Sequence, residues 1–251
     1  MFSRAMTRDR TFQETASRAS NFVFDEQVAE VFDDMAERSI PFYREQQALI
    51  QELARQFHQP DTFVYDLGCS TGTTLMALAT SLGPQARLVG YDNSEAMLAK
   101  ARANVGKAGV GEQIELRCAD LNADTSKIEL RDASVVTLCW TLQFVRPLNR
   151  DTLVRAIYDA MVKGGVLLVT EKTLTNNSDV NRYFIDFYYD FKRRNGYSEQ
   201  QIARKREALE NVLIPYRVDE NFELLRRCGF EIVETFFQWY NFAGFMAVKK
   251  G

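Results

Sequence analysis

The chain has 251 residues, of which 46% are hydrophobic and 26% charged, as is typical of a globular protein with a substantial core. Acidic residues outnumber basic ones by 34 to 31, which gives a formal net charge of −3 and disfavours direct nucleic-acid binding. The first twenty residues carry many charges and no apolar run, so they do not resemble a secretory or membrane segment. We therefore expect a cytoplasmic protein with no membrane partner.

The cysteines and the histidine do not indicate a metal site or a disulfide framework. The chain has four cysteines and a single histidine, His58. The cysteines lack the short spacings that metal-binding and disulfide-rich domains use. We therefore expect no metal, and we interpret Cys69 and Cys139 as packing residues rather than as nucleophiles.

Helices come first among the predicted elements. After residues 1–20, which we expect to form a flexible N-terminal arm, apolar spacing predicts a helix over residues 25–37. Pro41 suits the first turn of a second helix that ends near Phe57. Strands and helices then alternate. We expect strands near residues 62–67, 87–91, 113–118, 133–139 and 165–170, and helices near residues 72–82, 94–107 and 149–162.

The last part of the chain departs from this alternation. Residues 176–212 predict two helices, one aromatic and one strongly charged, within a helical insertion over about residues 174–217. A helix near residues 219–228 leads to strands near residues 230–237 and 242–249. Two final strands with no helix between them predict an antiparallel hairpin at the edge of a sheet.

Alternating strands and helices predict an α/β fold. Parallel strands need crossover connections, so we expect a doubly wound parallel sheet that is covered on both faces. The sequence Lys163-Gly164-Gly165 predicts a turn that ends a helix and leads into the fifth strand. We expect residues 21–251 to form a single domain.

The segment Val64–Gly72, which reads VYDLGCSTG, is the most informative motif. Its glycine turn lets a nucleotide-like ligand approach the backbone, because Gly68 and Gly72 have no Cβ. No Gly-Lys-Ser/Thr follows, so the turn is not a P-loop, and it lacks the three-glycine spacing of a dinucleotide site. Asp92 and Asp120 follow the next two strands, at the edge where open parallel sheets bind ligands. This ordered set resembles the Rossmann-like fold of class I S-adenosylmethionine (SAM) methyltransferases, which bind the ribose and the adenine with these acids.

Longer stretches resemble one family within this class, the carboxy-S-adenosyl-L-methionine (carboxy-SAM) synthases. The similarity runs from about residue 22 to the C-terminus and includes the helical insertion, which generic methyltransferases do not share. The stretches that carry it are Phe24–Phe32, Tyr65–Ser70, Thr141–Phe144, Asp190–Arg193, Asn195–Glu199, Lys205-Arg206, Leu209–Val212, Phe237-Gln238 and Asn241-Phe242.

The resemblance implies a reaction in which SAM and prephenate become carboxy-SAM and phenylpyruvate. Prephenate loses its ring carboxyl group as carbon dioxide while it aromatises. The SAM methyl group loses a proton and captures this carbon dioxide. The product supplies a separate enzyme that carboxymethylates the wobble uridine of tRNA, so the family acts on small molecules and binds no nucleic acid directly. The resemblance also implies a homodimer with the helical insertion at its contact.

The resemblance also implies which residues bind the cofactor and the product. Arg206 takes the place of the arginine that pairs with the carboxylate of the product, a role that suits a planar guanidinium group. Cys139 stands where the family has asparagine, and a thiol cannot supply the donor and acceptor of an amide. The implied binding positions are Tyr43, Gly68, Cys69, Ser70, Asp92, Asn93, Asp120, Leu121, Cys139 and Arg206.

The sequence assigns no catalytic acid or base. The single histidine precedes the first strand, so we expect the reaction to depend on substrate positioning and charge stabilisation. Two alternatives stay open from the residues alone. One is an ordinary SAM-dependent methyltransferase in which Arg206 holds a small acidic acceptor. The other is a SAM-binding partner protein without catalytic activity.

Overall fold

The computed structural model describes residues 24–123 and 128–251, so the predicted N-terminal arm lies outside the described residues. Helix α1 (Glu26–Ser39) begins where the Asp25 side chain accepts a hydrogen bond from the backbone N–H of Val28. Helix α2 (Tyr43–Phe57) begins two residues after Pro41. Pro41 is therefore not in its first turn as predicted, because Phe42 adopts a left-handed conformation (φ 55°) that separates the two.

Within the described residues, seven strands form one sheet with the order β3-β2-β1-β4-β5-β7-β6. Strands β1 to β5 are parallel, and β7 is antiparallel to both of its neighbours. This topology confirms the predicted α/β class, the doubly wound parallel sheet and the C-terminal hairpin. The strands are β1 (Phe63–Leu67), β2 (Arg87–Asp92), β3 (Ile114–Cys118), β4 (Ala133–Cys139), β5 (Met161–Lys172), β6 (Ile232–Trp239) and β7 (Phe242–Val248).

Helices cover both faces of the sheet, and each face has its own apolar core. On one face, α2, α3 and α4 pack against alternate residues of the strands, such as Val64 and Leu168. On the other face, α5 and α8 pack against the intervening residues, such as Tyr65 and Leu167. These helices are α3 (Thr73–Leu82), α4 (Glu95–Ala108), α5 (Pro147–Ala160) and α8 (Val218–Arg227).

The predicted helical insertion forms α6 (Ser178–Arg194) and α7 (Glu199–Leu209) between β5 and α8. An Asn177 side chain caps α6, and a Ser198–Gln201 capping box begins α7. Both helices lie beside the carboxyl ends of the parallel strands. Within the described part of the chain, no helix is long and apolar enough to cross a membrane.

The fifth strand begins earlier than predicted. Helix α5 ends at Ala160 and β5 starts at once at Met161, which pairs with Ala133 of β4. The predicted turn at Lys163-Gly164-Gly165 is instead an irregularity inside the strand, where the β4–β5 register shifts. Gly164 has φ 76° and donates its N–H to the carbonyl oxygen of Lys249 at 2.8 Å. Glycine signals a break in regular backbone, and here that break is a bulge rather than a helix end.

Candidate active site

A cavity of about 830 Å³ opens at the carboxyl ends of the parallel strands, enclosed by α1, α2, α6 and α7. Open parallel sheets bind their ligands at this edge. The structure brings all ten sequence-predicted positions to this cavity: Tyr43, Gly68, Cys69, Ser70, Asp92, Asn93, Asp120, Leu121, Cys139 and Arg206.

The glycine turn after β1 is held in a conformation that only glycine accommodates. Gly68 has φ 83°, and a Cβ at this position would lie 2.3 Å from Oγ1 of Thr141. The backbone N–H groups of Gly68 and Cys69 both donate to the carbonyl oxygen of Tyr91, at 2.7 and 2.9 Å. The turn is therefore fixed against the end of β2, and its backbone lies open to a ligand in the cavity.

Asp92 connects the glycine turn to the start of α4. Its carboxylate accepts hydrogen bonds from the backbone N–H groups of Ser70 and Ser94, both at 2.9 Å. Burial raises the pKa of Asp92, and these two N–H donors oppose the shift. Each carboxylate oxygen retains a lone pair, so Asp92 can also accept from the hydroxyl groups of a ribose.

The loop after β3 provides the next wall of the cavity. Asp120 is exposed, and its carboxylate accepts from the N–H of Asn122 at 2.8 Å. Leu121 is buried. The Asn122 amide donates to the carbonyl oxygen of Phe144 at 3.1 Å and accepts from the N–H of Arg146 at 2.7 Å. Asn122 thereby joins this loop to the loop after β4, a role that its sequence context did not indicate.

Trp140 follows β4 in a left-handed conformation (φ 54°), which is unusual for a bulky residue. Its N–H donates to the carbonyl oxygen of Thr170 at 2.7 Å, which holds the backbone in place. The indole ring lies 5.2 Å from that of Tyr43, and its buried Nε1 has no hydrogen-bond partner among the described residues. A buried donor without a partner costs about 1–3 kcal/mol, so this N–H is suited to a ligand acceptor.

Tyr43 and Cys139 are held in their neutral forms. Burial raises the pKa of the Tyr43 phenol, and the nearby Asp33 adds to the shift. Burial likewise raises the pKa of the Cys139 thiol, so this residue offers a weak donor in place of an amide. The Cys139 carbonyl oxygen accepts from the Thr141 hydroxyl at 3.1 Å. This hydrogen bond holds the backbone at position 139 and does not depend on the side chain there.

Basic side chains surround the other half of the cavity. Lys172 ends β5, Lys192 lies on α6, and Lys205 and Arg206 lie on the last turns of α7. Two acids of the cavity, Asp92 and Asp120, lie at the end of β2 and just after β3, and a third, Glu210, follows α7. The part of the cavity formed by β5, α6 and α7 therefore has four basic side chains and one acidic one, and we call it the basic side.

Among the described residues that line the cavity, Trp140, Lys172, Lys192 and Lys205 have evident chemistry and were not predicted as site positions. Lys172 is the last residue of β5, as Asp92 is the last residue of β2, so its position at a strand end could have indicated a site residue. Trp140 carries no comparable signal, because its conformation depends on contact with β5. Within the described ranges 24–123 and 128–251, no group of three or more potential metal-binding side chains is present.

Comparisons with known proteins agree with this architecture. Residues 64–165 match a family model described as a methyltransferase domain. An O-methyltransferase family protein from Burkholderia thailandensis aligns with a TM-score of 0.70 and 17% identity, over 90% of this chain and 61% of that one. Human N-acetylserotonin methyltransferase in complex with SAM aligns with a TM-score of 0.59 and 17% identity, over 90% and 56%. The fold is that of the class I methyltransferases, and the protein is a SAM-dependent transferase.

Sequence relatives define the family within this class. The carboxy-S-adenosyl-L-methionine synthase of Methylococcus capsulatus is 51% identical over 245 residues, which cover 97% of this chain and 100% of the relative. The synthase of Desulfotalea psychrophila is 47% identical over 244 residues, with 96% and 97% covered. The chain belongs to the carboxy-S-adenosyl-L-methionine synthase family, as its sequence motifs predicted.

Proposed function

We propose that the protein converts SAM and prephenate into carboxy-SAM and phenylpyruvate. One observation carries the proposal: the glycine turn of a SAM site and the arginine implied to bind the carboxylate of the product face the same cavity. A methyltransferase needs only the first of these features. The second suits a site whose product carries an additional carboxylate on the cofactor.

The described residues fit SAM on this side of the cavity. The open backbone at Gly68 provides close approach, and a side chain there would collide with Thr141. Asp92 has the lone pairs for the ribose hydroxyls, and Asp120 follows β3 at the position expected for the adenine amino group. The unpaired Nε1 of Trp140 supplies one further donor toward a ligand.

Arg206 fits the additional carboxylate. It lines the cavity of its own chain, is exposed, and forms no ion pair within the described ranges. A guanidinium group without a protein carboxylate can form two parallel hydrogen bonds with the carboxylate of a ligand. Placed at the basic side of the cavity, it stabilises negative charge on carbon dioxide as this is captured.

The reaction balances without an acid or base from the protein. As the prephenate ring aromatises, it releases carbon dioxide and hydroxide. The hydroxide takes a proton from the SAM methyl group to give water, and the methyl carbon forms a bond to carbon dioxide. The thiols of Cys69 and Cys139 have raised pKa values through burial, so neither is a thiolate base. The chain contributes orientation, exclusion of water and charge stabilisation.

The proposal extends to assembly and to the use of the product. Exposed aromatic side chains on α6 and on the β6–β7 turn support a homodimer that buries the helical insertion. The acidic net charge of −3 supports a protein that handles small molecules, with its product passed to a separate tRNA carboxymethyltransferase. We place the enzyme in the cytoplasm as a single SAM-binding domain over residues 21–251.

Mass spectrometry of the nucleoside product tests this function. Purified protein is incubated with SAM and prephenate, with SAM alone as the control. We expect SAM to gain the mass of one carbon dioxide only when prephenate is present. Accumulation of S-adenosylhomocysteine with an acidic acceptor, and no carboxylated product, would establish an ordinary methyltransferase instead. Tight SAM retention with no turnover would establish a binding protein.

A further inference from the structure

Lys172 lies at the basic side of the cavity with its backbone firmly placed. It ends β5, where its N–H donates to Oε1 of Gln143 at 3.0 Å. The Gln143 amide also donates to the carbonyl oxygen of Trp140 at 3.2 Å. These bonds fix the start of the Lys172 side chain relative to the loop after β4, which forms the floor of the cavity.

The ammonium group of Lys172 has no carboxylate partner among the described residues, although burial is extensive. Its Nζ lies 5.0 Å from the ring centroid of Tyr188, and the Nζ of Lys192 lies 4.8 Å from the same centroid. The ring face attracts the Lys172 ammonium group but does not neutralise its charge. Burial alone lowers the pKa of Lys172 to about 8. Because Lys172 also lines the cavity, its ammonium group is suited to an anionic ligand.

The location of this anion site separates it from the ribose and the adenine. In the sheet order, β5 lies three strands from β2, which is about 14 Å at the usual strand spacing. Asp92 and Lys172 therefore lie on opposite sides of the cavity. Prephenate carries two carboxylates, and only the ring carboxylate leaves. The carboxylate of its pyruvyl side chain is retained in phenylpyruvate and needs a binding group of its own.

We propose that Lys172 binds the retained 2-oxo acid carboxylate of the co-substrate and so selects a dianionic acid, with Lys192 adding positive charge near the same Tyr188 ring. This inference rests on the proposed function. It assigns the two carboxylates of the co-substrate to different groups: Lys172 holds the one that stays, and Arg206 meets the one that is transferred.

Binding through Lys172 gives the co-substrate a pH dependence that SAM binding lacks. A lysine with a pKa of about 8 is increasingly neutral above this pH in the free enzyme, so anion binding weakens by up to about tenfold per pH unit. The other titratable or charged groups around the cavity are Tyr43, Cys69, Asp92, Asp120, Cys139, Tyr188, Tyr189, Lys192, Lys205, Arg206 and Glu210. Arginine at position 172 stays charged and removes the dependence.

The test compares Lys172→Met, Lys172→Arg and the wild type in steady-state kinetics with prephenate, and by calorimetric titration with SAM. Methionine retains the length of the side chain and removes a buried charge, so folding is preserved. We expect Lys172→Met to raise the KM for prephenate about tenfold to a hundredfold, the loss of one charged hydrogen bond, with an unchanged Kd for SAM. Lys107→Met, at an exposed position on α4, is the matched control and keeps the wild-type KM.

The pH profile adds a measurement that does not depend on the folding of Lys172→Met. We expect kcat/KM for prephenate to fall above pH 8 in the wild type and to stay level in Lys172→Arg. A wild-type KM in Lys172→Met, or a wild-type profile in Lys172→Arg, overturns the assignment. So does a loss of SAM affinity, which would place the methionine carboxylate at Lys172. If the wild type makes no carboxy-SAM, the proposed function itself fails. The SAM titration then still shows whether Lys172 binds the methionine carboxylate of SAM.

Discussion

Asp66 and Lys172 are buried ionisable side chains near the cavity. The pKa of the acid is raised toward neutral pH, and that of the lysine is lowered toward it. Loss of hydration raises the pKa of Asp66 to about 7 and lowers that of Lys172 to about 8. Their partners differ. The Thr137 hydroxyl donates to Asp66 at 2.7 Å, so Asp66 is satisfied within the protein. Among residues 24–123 and 128–251, Lys172 has no carboxylate partner, and its ammonium group lies near the Tyr188 ring. Loss of hydration therefore shifts the pKa of both side chains, but Asp66 has a structural role and Lys172 is proposed to bind a ligand.

The raised pKa of Asp66 predicts a pH-dependent effect of Asp66→Asn. The folded state binds this proton more tightly than the unfolded state, so wild-type stability falls as the pH rises from about 4 through 7. Asparagine keeps the acceptor for Thr137 and cannot ionise. We expect the stability of the variant relative to the wild type to increase by about 2–3 kcal/mol between pH 5 and pH 8, measured by urea denaturation. Asp159→Asn, at an exposed position on α5, controls for the loss of one charge. An equal difference at both pH values would contradict the prediction.

At the scale of elements, both the local conformation and a tertiary contact require glycine in the turn between β1 and α3. Gly68 needs positive φ, and the space beside it is filled by Thr141 from the loop after β4. The N–H groups of Gly68 and Cys69 bind the end of β2. One turn thus joins three neighbouring strands at the edge where SAM is expected to bind.

Gly68→Ala tests this element. A left-handed conformation costs alanine about 1–2 kcal/mol, and displacement of Thr141 adds about 1–3 kcal/mol of overpacking. We expect a lower free energy of unfolding and a loss of SAM binding, measured by denaturation and by titration. Gly106→Ala in α4 is the control, because its Cβ would meet open space and helix interiors favour alanine. SAM affinity at the wild-type level in Gly68→Ala would show that the turn does not contact the ligand.

At the scale of the whole molecule, the periodicity of the sequence was sufficient to predict the sheet, its covering helices and the terminal hairpin. It was insufficient at the start of β5, where Met161 already pairs with Ala133 of β4 and an irregularity that contains two glycines precedes the next pair, Val166 with Val135. Eight of the ten predicted site positions share one cavity because they end or follow strands of a parallel sheet, whose carboxyl ends meet at one edge. Tyr43 and Arg206 lie on helices α2 and α7, and only the resemblance to the family indicated them. Trp140 could not be predicted, since its left-handed backbone is held by Thr170, thirty residues further along the chain.

Helix α6 has one face toward the cavity and another toward solvent. Tyr188 and Lys192 point to the cavity, whereas Tyr183 and Phe187 are exposed. Phe187 contacts the exposed Tyr240 of the β6–β7 turn, with ring centroids 4.9 Å apart. We define Tyr183, Phe187 and Tyr240 as the aromatic patch. A second copy of the chain that covers this patch would also hold α6 against the co-substrate site.

The proposed homodimer therefore predicts a linked effect of the double substitution Tyr183→Glu and Phe187→Glu. Burying two carboxylates in an apolar contact is unfavourable, so we expect a monomer in sedimentation analysis at concentrations where the wild type is a dimer. We expect SAM to bind at the opposite side of the cavity, so its Kd should stay unchanged. The KM for prephenate should rise, because α6, which carries Tyr188 and Lys192, loses the support of the second copy. Leu148→Glu, at an exposed position on α5 outside the patch, is the matched control and should stay dimeric. A monomeric wild type, or a double variant that remains a dimer, would contradict the assignment of this surface.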